Sequence, residues 1–214
     1  RVRFVHDATV AHAAAFGDGD GIVVIAGTGS VAFGRAGTCR ARVGGWGPTF
    51  GDRGSAFWFG RHAIAAAMEA HDRERASPLP AWIYEDLGAG DLRAVQHGIA
   101  AGSISAGRIA ALAEPLLMAA AADPEGEAAA LAGEAVAALW ELAALAANRV
   151  GAVAPREVGP SGGLFASAWF AERFRRAAPA GFVVVAPRST PAQGALGLAY
   201  ADAGLAAGPR RGGP

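Results

Sequence analysis

Residues 22–30 read Ile-Val-Val-Ile-Ala-Gly-Thr-Gly-Ser, and this stretch decides the fold. A short apolar, β-branched run suits a buried strand, because Val and Ile pack well on a pleated surface and lose χ1 freedom in a helix. The run then ends in two glycines and two hydroxyls. Glycine permits unusual φ and presents no Cβ, so the turn can bring backbone N–H groups against an anion, with Thr28 and Ser30 adding hydroxyl donors. A plain tight turn satisfies the same spacing. Two nucleotide signatures are excluded. GxxxxGK[ST] is absent, and all 19 basic residues are arginine, so no P-loop lysine exists. Gly27-x-Gly29 is followed by Val31 and Ala32 in a segment that reads as a strand, whereas the dinucleotide fingerprint opens a helix.

Outward from this turn, strands over 21–26 and 31–35, a turn at Gly37 and a short strand to Val43 form a hairpin-like run. Ahead of it, RVRFVHDA (1–8) reads as a short strand ending in a polar His-Asp pair, followed by an alanine-rich turn or short helix. Behind it, GGWGPTFGDRGS (44–55) holds five glycines in twelve residues, which is a shaped loop rather than a linker. A helical pattern runs from Ser55 to about His71, and two prolines in 72–80 introduce a region that is nearly all helix. Its expected segments are 81–98, 105–121 and 125–149, with Asp123 and Pro124 as a helix start. REVGPSGG (156–163) reads as a strand entering a glycine turn, followed by a helix over 164–177, a strand over 182–186 and a helix over 191–203 opened by Pro191. The tail 205–214 reads as disordered. The sum is an α/β lobe with a helical insertion, its sheet covered on both faces.

A chain of 214 residues at 52% hydrophobic sustains a core without crosslinks. Equal counts of 19 acidic and 19 basic residues provide no field for nucleic acid or an anionic membrane. Cys39 stands alone, which excludes an internal disulfide framework and a Cys-rich zinc site and makes a cytoplasmic location the default expectation. RVRFVHDATV lacks the apolar core of a signal peptide. The most apolar stretch, 128–147, carries Glu134 and Glu141 and sets Leu131, Ala135, Leu139, Leu142 and Leu145 on one helical face, as in a buried helix of a soluble protein. His6, His12, His62, His71 and His97 lack the paired spacing of helix-borne metal ligands.

Asp7 and Asp52 are the carboxylates placed for chemistry. Either can act as a general base or hydroxyl ligand; equally, Asp7 can be a strand-end turn residue and Asp52 the N-cap of the helix that follows. Trp46, set among glycines, offers a flat apolar face or an indole N–H to a ligand such as a sugar, while Trp58, Trp82, Trp140 and Trp169 fall in helical patterns that read as packing. Ser161-Gly162-Gly163 sits where a strand passes into a helix, at the carboxyl edge that ligands of open α/β sheets favour, or is simply a turn.

In their order and spacing, HDA, IAGTGS, GGWGPTFGDRGSAFW, SGG and PAQGALGLA resemble the BadF/BadG/BcrA/BcrD-type ATPases. Within that family the chain is similar to the N-acetylglucosamine kinase and glucosamine kinase branch, of the actin-like, sugar-kinase and Hsp70 superfamily. The resemblance covers nearly all of 2–203, and GGWG followed by GDxGS is its specific part. It implies an actin-like ATPase (ribonuclease H-like) lobe. Residues 1–20 would be the remnant of a first lobe ending in the catalytic-aspartate strand, and 21–204 a second lobe with the insertion at about 81–149. It implies ATP-dependent phosphorylation of N-acetylglucosamine or glucosamine to the 6-phosphate, with Mg2+ bridging the phosphates.

Carried over by position, Asp7 matches the catalytic aspartate that binds the sugar hydroxyl and takes its proton. Gly27, Thr28 and Gly29 look like the second phosphate-binding hairpin, and Ser30 falls where that turn also touches sugar. Gly45, Trp46 and Asp52 match sugar contacts, and Gly162 and Gly163 resemble the adenosine motif. The implied partners are an amino sugar and a second copy in a homodimer, with neither nucleic acid nor membrane. The chain departs from the family at two points. Its DxGGT phosphate hairpin is not among these residues, so little or no kinase activity and an exposed sheet edge are expected of this chain alone. Val31 stands where acetylglucosamine-specific members carry a polar residue, which leaves both amino sugars open. Two rival readings are an activator ATPase of a dehydratase or reductase, for which Cys39 lacks the glycine-cysteine helix start, and a non-catalytic sugar-binding module.

Overall fold

The computed structural model describes residues 4–205. Strands β1 (Gly21–Ala26), β2 (Ser30–Ala36), β3 (Cys39–Gly44), β4 (Arg156–Ser161) and β5 (Phe182–Val184) form one sheet in the order β3-β2-β1-β4-β5. The first three pair antiparallel, and β4 and β5 run parallel to β1. Ile25 lies opposite Ser161, so β1 and β4 end level at their carboxyl ends. This register puts the two glycine turns of the sequence side by side.

Asp7 does not end a strand. Residues 4–6 carry no regular structure, and Asp7 opens helix α1 (Asp7–Phe16); the remainder of the expected strand, 1–3, lies outside the described residues. Five alanines in DATVAHAAAF favour the helix, and packing of Ala8, Ala11, Ala14, Ala15 and Phe16 secures it. Helix α2 (Ala56–Asp72) is capped by Ser55, whose Oγ accepts the Trp58 N–H at 3.1 Å, so the helix-cap reading of Asp52 does not hold.

The expected helix over 81–98 is two, α3 (Leu79–Leu87) and α4 (Leu92–Ala100), broken at Gly88 in the left-handed region (φ 62°) and restarted by Asp91 as cap. The expected helix over 105–121 is likewise two, α5 (Ala106–Ala111) and α6 (Ala113–Ala122). Pro115 lacks an N–H and its ring crowds the carbonyl four residues back, which ends α5 there. Helix α7 (Glu127–Val150) starts after Gly126 rather than at Asp123, which closes α6 instead. Gly163–Ala166 is a single 3-10 turn before α8 (Ala168–Arg176), where a continuous helix from 164 was expected. Ser167 caps α8, and a Thr190–Gln193 capping box opens α9 (Pro191–Asp202).

Helix α1 covers one face of the sheet, and α9 packs against α1. Helix α7 covers the other face, packing on β1, β2 and β3 with α2, α6 and α8 around it. Ile22, Val24 and Ala26 join the α7 side of the core, and β1 is apolar on both faces because both are covered. By length and composition α7 could cross a bilayer, yet it forms the core of this lobe, as the 128–147 pattern anticipates. The face it buries differs. Alanines 132, 135, 143 and 146 face inward with Leu139, whereas Leu131 and Leu142 are only partly buried and Leu145 is 45% exposed. Small residues let the backbones close in, and a Cβ on Gly34 or Gly54 would sit 3.3 Å from the Ala146 carbonyl or 2.6 Å from that of Ala135. Trp58 and Trp140 are buried, and Trp82 and Trp169 pack against the core. At the parallel edge of the sheet, Val183 of β5 is 48% exposed. The tail expected to be disordered lies, from 206 onward, outside the described residues.

Candidate active site

Two glycine turns leave the sheet at one edge. β1 runs into Gly27-Thr28-Gly29, and β4 runs into Gly162, which adopts φ 101°. A Cβ on Gly162 would lie 2.5 Å from the Ala26 carbonyl oxygen, so only glycine lets the β4 exit pass this close to the end of β1. Beside them opens a cleft of about 650 Å³, walled by Gly27, Thr28 and Ala56 on one side and by Gly163, Leu164, Ala166 and Ser167 on another. α5 and α6 supply the remaining wall. That volume is of the size that holds a nucleotide-sized ligand.

The GGWGPTFGDRGS loop is tied to the GTGS turn by backbone and side chain. Gly45 N–H donates to the Ser30 carbonyl at 2.9 Å, and Ser30 Oγ donates to the Arg53 carbonyl at 2.7 Å. Ala56 N–H donates to the Gly27 carbonyl at 2.8 Å, which aims the start of α2 at the turn. Asp52, with φ 54°, is 9% exposed, and its carboxylate lies over Gly29, where a Cβ would come within 2.8 Å of Oδ2. No described residue pairs with that carboxylate. Ser30 is 2% exposed, so its hydroxyl holds the loop from inside. Thr28 is exposed on the cleft. Gly45 (φ 68°) leaves room for Arg42 Nη2, which donates to its carbonyl at 3.3 Å. Trp46 is 76% exposed and Phe50 89%, a large apolar display for one loop.

Asp7 is reached from the opposite face of the sheet. α1 is joined to β1 by a short turn, with Phe16 beside Gly21 and Ala11 beside Ser161 and Gly162 in a smaller cavity of about 320 Å³. The helix therefore runs back along β1, and its first residue comes out at the edge that carries both glycine turns. Asp7 is exposed; Oδ1 accepts the Ala8 N–H at 2.7 Å and Oδ2 remains free for a ligand. The structure thus ties Gly27, Gly29, Ser30, Gly45 and Asp52 to one another through the turn and its tethered loop, with Trp46 exposed beside Gly45; Thr28 and Gly163 line the cleft, whereas Gly162 packs against Ala26 and lines the smaller cavity. It shows no direct contact from Asp7 to the GGWG loop. Cys39 is exposed at the start of β3 and lines no cavity described here.

The α5–α6 wall has no motif. One trace of it in the sequence is Gly60, a helix-breaking residue inside α2; a Cβ there would lie 2.0 Å from the Ile109 carbonyl, so glycine is what seats α5 against α2.

A mixed five-stranded sheet with helices on both faces and glycine turns at the shared carboxyl edge define a lobe of the actin-like ATPase fold. Residues 2–199 match the BadF/BadG/BcrA/BcrD ATPase family, and the chain belongs to it. A 74-residue stretch, 34% of the chain and 24% of the relative, is 43% identical to the N-acetylmuramic acid/N-acetylglucosamine kinase of Clostridium acetobutylicum. Among solved structures, a protein provisionally named N-acetylglucosamine kinase from Chromobacterium violaceum superposes with TM-score 0.70 at 31% identity, covering 89% of this chain and 63% of that one. A second, provisionally named likewise, from Porphyromonas gingivalis, has TM-score 0.65 at 19% identity over 92% of this chain and 65% of its own, and shows the fold. The chain thus spans less than two thirds of the length of each.

Proposed function

We propose that this chain carries the nucleotide cleft and the sugar loop of an ATP-dependent amino-sugar kinase acting on N-acetylglucosamine or glucosamine. The supporting observation is the convergence on one edge of two glycine turns, the start of α2 and a tethered loop bearing Trp46 and Asp52. Residues 21–204 form the second lobe, with α3 to α6 as its insertion, and the 1–20 segment enters from the first with α1 packed on the second lobe's sheet.

The phosphates lie along Gly27, Thr28 and Gly29, whose backbone N–H groups and hydroxyl meet negative charge where a side chain would block approach. Gly163 leaves room for the nucleoside, and Gly162 lets the turn that carries it close against the end of β1. The sugar stacks its apolar face on Trp46 and gives a hydroxyl hydrogen bond to Asp52. Ser30 acts by holding the loop to the turn, and Gly45 by letting the chain bend beside Arg42. Asp7 accepts the proton of the attacking hydroxyl as its oxygen bonds to the γ-phosphorus, and the bridging oxygen leaves with ADP. Asp7 and Asp52 would be the carboxylates to hold Mg2+, which would supply neutralisation of the phosphate charge, since magnesium takes one or two carboxylates and keeps the rest of its shell from phosphate and water.

The test is transfer of labelled phosphate from ATP to a panel of glucosamine, N-acetylglucosamine, N-acetylmuramic acid and glucose. It is run on this chain and on the open reading frame that encodes it. Transfer to an amino sugar, abolished in Asp7→Asn, is the expected result. Absence of transfer in both, with ATP turnover unchanged in Asp7→Asn, removes the reading.

A further inference from the structure

We propose that Glu141 of α7 is a positioning residue for the sugar loop, holding Asp52 over the Gly29 turn through an ion pair with Arg53. This rests on the sugar reading of that loop. Arg53 Nη1 donates to Glu141 Oε2 at 2.7 Å, which joins residues 88 apart in sequence. Arg53 follows Asp52 directly, and its two ends are held by different elements. Its carbonyl accepts the Ser30 Oγ–H of β2 at 2.7 Å, and its guanidinium reaches α7. One hydrogen bond fixes a point, whereas two to separate elements also fix a direction. Gly54 is pressed against the same helix, where a Cβ would lie 2.6 Å from the Ala135 carbonyl oxygen, so α7 is the surface on which this root of the loop is seated.

Asp52 needs such support because of its backbone. At φ 54° it occupies the left-handed region that an L-residue disfavours, and a residue persists there only where its surroundings over-determine it. Little of that support comes from its N-terminal side. Phe50 is 89% exposed, and the Gly51 N–H donates within the loop, to the Gly47 carbonyl at 2.8 Å. Asp52 thus stands where an open span meets a fixed root, and from the fixed side Ser55 N–H donates to its carbonyl at 3.1 Å. Its carboxylate has no polar partner among the described residues, so the backbone is what aims it. The side chains of the ion pair are 61% and 54% exposed, so dissolved salt weakens this fastening. N-acetylglucosamine is neutral, and a salt effect on its binding therefore reports on the protein's own charges.

The test is calorimetric titration of the full chain with N-acetylglucosamine, paired with amide hydrogen exchange of the same chain without sugar. Wild-type affinity should fall about two- to fivefold between about 0.05 and about 0.5 M sodium chloride, the worth of an exposed ion pair. Glu141→Gln should show the weaker affinity at both salt concentrations and speed exchange of the Gly51 and Ser55 amides by a similar factor. Reversing the pair, Arg53→Glu with Glu141→Arg, should restore both. Glu134→Gln removes the same charge from the same helix at a residue with no ion pair among the described residues, and should change neither. A folded Glu141→Gln chain that keeps wild-type affinity and its salt dependence overturns the role of Glu141 and leaves the sugar reading standing. Failure of wild type to bind any amino sugar overturns the sugar reading, while unchanged loop exchange in Glu141→Gln overturns the hold on Asp52 whether or not sugar binds.

Discussion

Replacing Gly162 by alanine tests the geometry of the site edge more directly than any polar substitution. The new methyl would lie 2.5 Å from the Ala26 carbonyl oxygen and 2.7 Å from its carbon, about 1 Å inside normal contact. The residue would also be held at φ 101°, in the region that costs an L-residue roughly 1–2 kcal/mol. Overpacking of this kind adds about 1–3 kcal/mol. The sum, about 2–5 kcal/mol, falls on the pairing of β4 with β1, where Ile25 faces Ser161. For a chain of this size each kcal/mol moves the melting temperature by roughly 2–4 °C, so a drop of roughly 5–20 °C is expected by circular dichroism. Gly163→Ala is the control. Its Cβ meets nothing within 4 Å, so its stability should stay within about 0.5 kcal/mol of wild type. Yet Gly163 lines the cleft, and its methyl should weaken ATP binding severalfold. A Gly162→Ala chain melting within about 2 °C of wild type, or a Gly163→Ala chain that is the less stable of the two, would refute this account of the edge.

His12 sets a pH dependence. It is 3% exposed between Phe16 and Phe33, with Nε2 at 3.3 Å from the Gly21 carbonyl. Burial lowers its pKa from 6.5 to about 4, the Gly21 hydrogen bond opposing and Arg35 assisting. Between those values the unfolded chain binds more protons than the folded one. The contribution is therefore complete above pH 6.5 and is lost as pH falls toward 4, by roughly 3 kcal/mol in all. His12→Leu should flatten this part of the melting profile; an unchanged slope would place the acid sensitivity elsewhere. Trp46→Ala should shift melting by less than about 2 °C because the side chain is 76% exposed, while weakening N-acetylglucosamine binding about tenfold by calorimetry. Undiminished sugar binding would take Trp46 out of the sugar site.

The strand boundaries at 21–26 and 156–161 were legible because a buried strand announces itself by composition and a glycine turn ends it. So was the family, since GGWG and GDRGS are carried by residues the loop holds at positive φ, Gly44, Gly45, Gly47, Asp52 and Gly54. Helix punctuation was less legible. Pro115 and Gly88 divide segments whose apolar period reads as continuous, and Ser55 outcompetes Asp52 as the cap of α2. The face of α7 was misjudged, because leucine spacing shows which residues share a stripe and not how near a neighbouring backbone can come. Alanine 135 and alanine 146 face glycines in the structure, and that close fit wins over larger side chains.

By itself, then, the sequence determined the strands, the two glycine turns, the loop chemistry and the family, all of which rest on local conformational preference or on residue type. Only the tertiary structure decided that the turns at Gly27 and Gly162 share one edge, that Asp52 lies over Gly29 and Ser30 turns inward, and that α6 walls the cleft. Those facts depend on strand register and on helix approach between segments distant in the chain, and such pairings are set by hydrogen bonds and packing that no single stretch contains.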